Sequence, residues 1–148
     1  MAETGPVIDD FGACYDTSGD QTVPVEPGQR FKVAFDAAER AAEGRVNASF
    51  ESLARFLNMH ARAGVAPGNV ELALVVHGGA GEDLLRTSSS AALVSELLAH
   101  GARVIICGQS ARHAGLTVDK LVEGVEVALS AMTAHALLQQ SGFTLNPF

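Results

Sequence analysis

Ala102-Arg103-Val104-Ile105-Ile106-Cys107-Gly108-Gln109-Ser110 is the stretch whose reading decides the fold. A short apolar run rich in β-branched residues reads as a strand covered on both faces. It ends on a cysteine and a glycine, and a helical turn follows over Gln109 to Ala114, stopped by Gly115. Leu72-Ala73-Leu74-Val75-Val76 has the same character and runs into His77-Gly78-Gly79-Ala80-Gly81. Outward from these two runs the elements alternate. Phe31 to Asp36 reads as the first main strand, and Ala37 to Arg45 as a connection with a helical turn. Phe50, Leu53, Ala54, Leu57 and Ala61 recur at three- and four-residue spacing, which predicts a helix from about Ser49 to Ala63. Asn47 or Ser49 can cap its start, and Gly64 ends it. A helix from the caps at Ser88-Ser89-Ser90 to about His100 turns Leu93, Val94, Leu97 and Leu98 inward. Val118, Leu121 and Val122 suggest a further short helix, and Val125 to Leu129 a fourth strand. A helix opened by Ser130 runs to about Ser141, and Phe143-Thr144-Leu145 is a short last strand. Strand and helix in alternation call for an α/β fold with a parallel sheet between helices.

Residues 1–30 differ in composition. Pro6, Pro24 and Pro27, with Gly5, Gly12, Gly19 and Gly28, mark an irregular arm of the kind that packs on a neighbour or a subunit. A short edge strand near Val7 or Val23 is compatible with it. The expected organisation is therefore an arm, 1–30, and one α/β domain, 31–148. The 148 residues suit one domain, and 47% apolar residues suffice for an aliphatic core.

The net charge of −7 argues against nucleic-acid binding through a broad basic surface. No apolar run approaches the length of about 18 residues that crosses a membrane. The opening MAETGPVIDDF lacks a basic segment followed by an apolar core, so no signal peptide is expected and the expected location is cytoplasmic. Two cysteines, Cys14 and Cys107, are too few for a disulfide framework, although the two could pair.

In open parallel sheets ligands bind at the carboxyl ends of the strands. His77 with its glycines, Cys107-Gly108-Gln109 and Ser130 all fall at such ends. A cysteine just before a helix has its sulfur near unpaired backbone N–H groups, which favour thiolate, the nucleophile and carrier of sulfane sulfur. The competing reading is an inert, packed core cysteine. His77 suits anion binding, tuning of the thiol or base catalysis, or bonds within its own loop. Gly78 and Gly79 suit an anion nest or a plain turn. They form neither a phosphate loop nor a dinucleotide fingerprint. Asn58 and His60, near each other in sequence but on different helix faces, are either ligand contacts or locally bonded. Arg112 and His113 either border the Cys107 pocket or are solvated. His100 and His135 occupy ordinary helical positions. Cys107 and His77 lack a third ligand with convincing spacing, so no metal is expected, and no cofactor. A hydrolase using Ser110 or Ser130 would lack a recognisable triad.

Taken as an ordered set, several segments resemble the DsrE/DsrF-like family. They are Phe56-Leu57-Asn58-Met59-His60-Ala61, Ala73-Leu74-Val75-Val76-His77-Gly78, Val104-Ile105-Ile106-Cys107-Gly108-Gln109-Ser110-Ala111 with Gly115-Leu116, Gly124-Val125-Glu126-Val127 with Ser130-Ala131, and Leu138-Gln139-Gln140-Ser141-Gly142-Phe143. The resemblance implies a three-layer α/β/α sandwich with a mainly parallel five-stranded sheet, and a homo-oligomeric assembly. Sulfur-relay members, the TusD-like proteins among them, carry persulfide on a cysteine after a central strand, and Cys107 occupies the similar place. The arm, His77 and the Cys-Gly-Gln-Ser-Ala segment, less Ala-rich than the relay version, depart from those members. The expected function is a sulfur carrier or sulfurtransferase-like protein using a persulfide on Cys107, with a sulfur-donor or acceptor protein as partner. His77 would assist, and Asn58, Gly78, Gly79, Gly108, Gln109 and Ser110 would line the ligand site. The alternative is a non-enzymatic homo-oligomeric module that binds a small ligand or a protein in the same crevice.

Overall fold

A computed structural model describes residues 1–148. Five strands form one sheet in the order β4-β3-β2-β1-β5, and every pairing is parallel. They are β1 (Phe31–Ala37), β2 (Val70–Val76), β3 (Arg103–Cys107), β4 (Glu126–Ala128) and β5 (Thr144–Leu145). The helices are α1 (Ala48–Arg62), α2 (Ala91–Ala99), α3 (Gly108–Ala114) and α4 (Ala131–Gln140). Short 3-10 turns occupy Pro67–Asn69, Gly78–Leu84 and Val118–Lys120.

Side chains alternate across each strand, so the two faces of the sheet have separate cores. Val33, Phe35, Leu72, Leu74, Val76, Val104 and Ile106 face one way, against Phe50, Leu53 and Leu57 of α1 and Leu93, Val94 and Leu97 of α2. Ala34, Ala73, Val75 and Ile105 face the other way, against Ala134 and Leu138 of α4. The arrangement is a three-layer α/β/α sandwich.

Handedness explains the layers. The chain steps from β1 to β2, β3 and β4 in one direction, so right-handed crossovers put α1, α2 and α3 on one face. The step from β4 back to β5 runs the opposite way and puts α4 on the other face. Helices leaving β3 and β4 therefore diverge to opposite sides, the place where ligands bind in open parallel sheets.

Two local expectations are corrected. Residues 38–47 form no helical turn. Their polar groups bond outward instead: Ala41 N–H and the Asn47 side-chain amide both donate to the buried Asp83 carboxylate at 2.8 Å, and Asn47 also donates to Glu39 C=O. The arm forms no edge strand, only an isolated antiparallel bridge between Glu3 and Cys14. It packs on α1 of its own chain. Ile8 enters the core beside α1, and Arg55 and Arg62 donate to arm carbonyls.

Asn58 anchors that packing. It is completely buried. Its carbonyl oxygen accepts from Val7 N–H at 3.0 Å and Ile8 N–H at 2.9 Å. Its amide donates to the carbonyls of Ile8, Phe11 and Gly12. These bonds use the whole hydrogen-bonding capacity of the side chain. Asn58 is thus a clasp for the arm on the face opposite α4, and its expected place among ligand contacts is corrected accordingly. Asn58→Ala would strand the N–H groups of Val7 and Ile8 and three carbonyls. The expected loss is about 3 kcal/mol, read from urea unfolding, with earlier proteolytic cleavage in residues 1–14.

Candidate functional site

Cys107 ends β3 and is also the N-cap of α3. Its backbone is still extended (φ −63°, ψ 119°), so its side chain turns back over the first turn of the helix and accepts from Ser110 N–H at 3.5 Å. A sulfur is a weak cap as a thiol and a much better one as a thiolate. Burial raises the pKa of this thiol. That effect is outweighed by hydrogen bonds from the Ser110 N–H, the Ser110 hydroxyl and the N–H groups of Ala131 and Gln109, and the net shift is downward from the ordinary thiol value. Ala131 is the first residue of α4. The hydrogen bond to the sulfur comes from the start of α3, and the nearby start of α4 adds to the field that favours its ionised form.

Gly108 makes this convergence sterically feasible. A Cβ there would lie 2.5 Å from the carbonyl oxygen of Ala128, at the end of β4. The glycine lets the start of α3 press against β4, which carries the start of α4. Gln109 reinforces the junction: its side-chain amide donates to Leu129 C=O at 3.0 Å. Its side chain is thereby engaged away from the sulfur, and only its N–H contributes there. Ser130 caps α4 through its hydroxyl, which accepts from Thr133 N–H at 3.0 Å.

Ser110 joins the thiol to β2. Its hydroxyl oxygen accepts from Gly78 N–H at 3.0 Å while its own N–H faces the sulfur. Gly78 has φ +55°, and a Cβ on it would be 3.0 Å from Ala38 C=O. Gly79 runs beside Arg40 in the same way. These glycines serve a close crossing of the β1 and β2 loops, and the Gly78 N–H is already engaged.

His77 follows the Val76–Ile106 pair, so it continues the register opposite Cys107. Its Nε2 lies 2.9 Å from Oδ2 of Asp36, near the end of β1. The other Asp36 oxygen lies 2.8 Å from Nε2 of His135 on α4. One carboxylate thus joins two imidazoles across three elements. Burial raises the Asp36 pKa, but the hydrogen bonds from His135 and His77 and the charge attraction of both rings outweigh it and hold it below the usual value. A carboxylate lowered in the fold adds stability above its unfolded pKa and loses it as pH falls through the folded one.

The structure brings Cys107, Gly108, Ser110, Gly78, His77 and the Gln109 backbone together at the carboxyl ends of β2 and β3. Asn58 lies elsewhere. Arg112 and His113 are exposed in the last turn of α3. Sequence reasoning missed Asp36 and His135. Asp36 shares strand parity with Ala34, which faces α4, and that was the available signal. A cleft of about 1030 Å³ lies between the arm and α1, lined by Tyr15, Arg55, Met59 and His60, and does not include Cys107. Both cysteines are free thiols.

A parallel α/β/α sheet with a cysteine capping the helix at its crossover reversal defines the class of protein. The family model described as DsrE/DsrF-like matches residues 31–147, and the chain belongs to that family. Two solved structures are similar. A protein of unknown function from Methanobacterium thermoautotrophicum, MTH1491, shares 25% identity at a TM-score of 0.62, covering 80% of this chain and 99% of that one. The ychN protein from E. coli shares 19% identity at a TM-score of 0.60, covering 81% and 99%. The latter likeness concerns the fold alone. No curated protein matches the chain.

Alkylation of Cys107 by iodoacetamide should titrate at lower pH than that of an unperturbed thiol run alongside. Ser110→Ala should move the midpoint upward, because one donor to the thiolate is lost. Mass mapping after alkylation at a series of pH values reads both curves.

Proposed function

We propose that the chain is a sulfur carrier that holds a persulfide on Cys107. The observation that carries this reading is the seat of Cys107 as N-cap of α3, with Ser110 N–H on Sγ, which favours the thiolate. The thiolate attacks the outer sulfur of a donor persulfide, R–S–SH. The donor S–S bond breaks, R–S⁻ leaves, and Cys107–S–SH forms. An acceptor thiolate then attacks the same outer sulfur and releases the Cys107 thiolate. Both steps exchange one S–S bond for another, so no outside oxidant or reductant is needed. The donors that stabilise the thiolate also stabilise a terminal persulfide anion when it forms. His77, Gly78, Gly108, Ser110 and the Gln109 N–H line the site in this reading, which invokes no metal or cofactor.

Donor and acceptor proteins are the partners this chemistry requires. The free thiols support a reducing, cytoplasmic setting, and no helix is long and apolar enough to cross a membrane. Val127, Leu129, Met132 and Leu137 are exposed apolar residues around β4 and α4, which supports homo-oligomeric assembly on that side.

One observation favours the alternative of a non-enzymatic binding module: Cys107 is only 6% exposed. Intact mass after incubation with a sulfane-sulfur donor separates the two. The carrier gains one sulfur on wild type and none on Cys107→Ser. No gain on wild type, with the thiol unalkylated in the folded protein, leaves the binding module.

A further inference from the structure

Asp36 joins His77 and His135, and neither it nor His135 was an expected site residue. An ionised carboxylate only accepts hydrogen bonds. Each neutral ring facing it must therefore carry its proton on Nε2 and leave Nδ1 as a lone-pair nitrogen. The two free nitrogens differ. Nδ1 of His135 is buried without any partner, so a proton placed there would be an unmet donor. Nδ1 of His77 has no partner either, but it is not buried: His77 keeps about a third of its side-chain surface. His77 continues the strand register opposite Cys107, and the next residue, Gly78, bonds to the Ser110 hydroxyl of the thiol's own network. The three groups are not arranged to hold a metal ion.

We propose that Asp36 is a positioning residue that locks both histidines in the Nε2–H tautomer, so that Nδ1 of His77 is the base that activates an incoming acceptor thiol. This deepens the carrier reading and rests on it for the identity of the reaction. The acceptor R–SH loses its proton to Nδ1 of His77. Its sulfur attacks the outer sulfur of Cys107–S–SH, the Cys107 S–S bond breaks, and R–S–SH, the Cys107 thiolate and protonated His77 result. Charge and atoms balance, and the proton leaves later to water. His135 anchors the second carboxylate oxygen, which prevents Asp36 from rotating away from His77.

The variant Asp36→Asn gives the assignment a distinctive signature. An asparagine amide offers one accepting oxygen and one donating nitrogen. One ring must then accept at Nε2 and move its proton to Nδ1. His135 has no acceptor at Nδ1, whereas the open Nδ1 of His77 can donate to water, so His77 is the ring that switches.

Long-range ¹H–¹⁵N correlation on the full chain, recorded over a pH series, reads the tautomers of the neutral rings. Wild type should show Nε2–H on both rings, and Asp36→Asn should show Nδ1–H on His77 alone. In parallel, the persulfidated protein is mixed with glutathione and loss of the added sulfur is followed by intact mass. Asp36→Asn should release it roughly 10²-fold more slowly, the usual scale of a lost general base. An Nδ1–H tautomer of His77 in wild type overturns the assignment, and so does an unchanged release rate in a variant whose His77 has switched. A chain that takes up no sulfur at all defeats the carrier reading instead, while the tautomers still decide whether Asp36 sets the rings. The wild-type spectrum needs no variant, so a misfolded Asp36→Asn does not block the decision.

Discussion

At the start of α3 the backbone of Gly108 approaches the end of β4 so closely that no side chain fits between them. A Cβ would lie 2.5 Å from a carbonyl oxygen, a separation that neither group could relieve without moving a strand or a helix. The rest of the site depends on this approach. It seats the first turn of α3 against the strand from which α4 departs. Cys107, one residue earlier, then caps α3 with its sulfur on Ser110 N–H, close to the start of α4. A larger residue at 108 would separate the two starts and leave the thiol with burial alone, which disfavours ionisation.

The crossover reversal makes the same place special at the level of topology. Three steps in one direction lay three helices on one face, and the return from β4 to β5 lays α4 on the other. Only between β3 and β4 do the helices that follow neighbouring strands part to opposite faces. The small residues Ala34 and Ala73 on the α4 face complement this arrangement. They let α4 sit close, which brings His135 within 2.8 Å of Asp36. The polar cluster and the thiol are thus two products of one packing decision. Meanwhile the opposite face carries the bulk of the aliphatic core, and the arm adds Ile8 to it through the Asn58 clasp.

Much of the fold was legible because its signals are local. Five strands and four helices fell near their expected positions, since β-branched runs, three- and four-residue spacing and glycine at helix ends act over a few residues. The expected helical turn after β1 failed because Asp83, about 40 residues away, supplies the acceptor for Ala41 N–H and the Asn47 amide. Asn58 was misread for a similar reason. An amide on a helix looks alike whether it faces a ligand or a distant backbone, and its partners in the arm lie about 50 residues earlier in the chain.

By itself the sequence determined the alternation of elements, the parallel sheet and a cysteine at a strand-to-helix junction, because hydrophobic period and turn chemistry are written in neighbouring residues. Only the tertiary structure decided what surrounds that cysteine. The start of α4 lies near the sulfur, the Ser110 hydroxyl bridges to Gly78, and Asp36 couples His77 to His135 because strands distant in sequence lie side by side in register. Hydrogen bonds act over about 3 Å in space, irrespective of separation along the chain, so their partners become visible only when the sheet has formed.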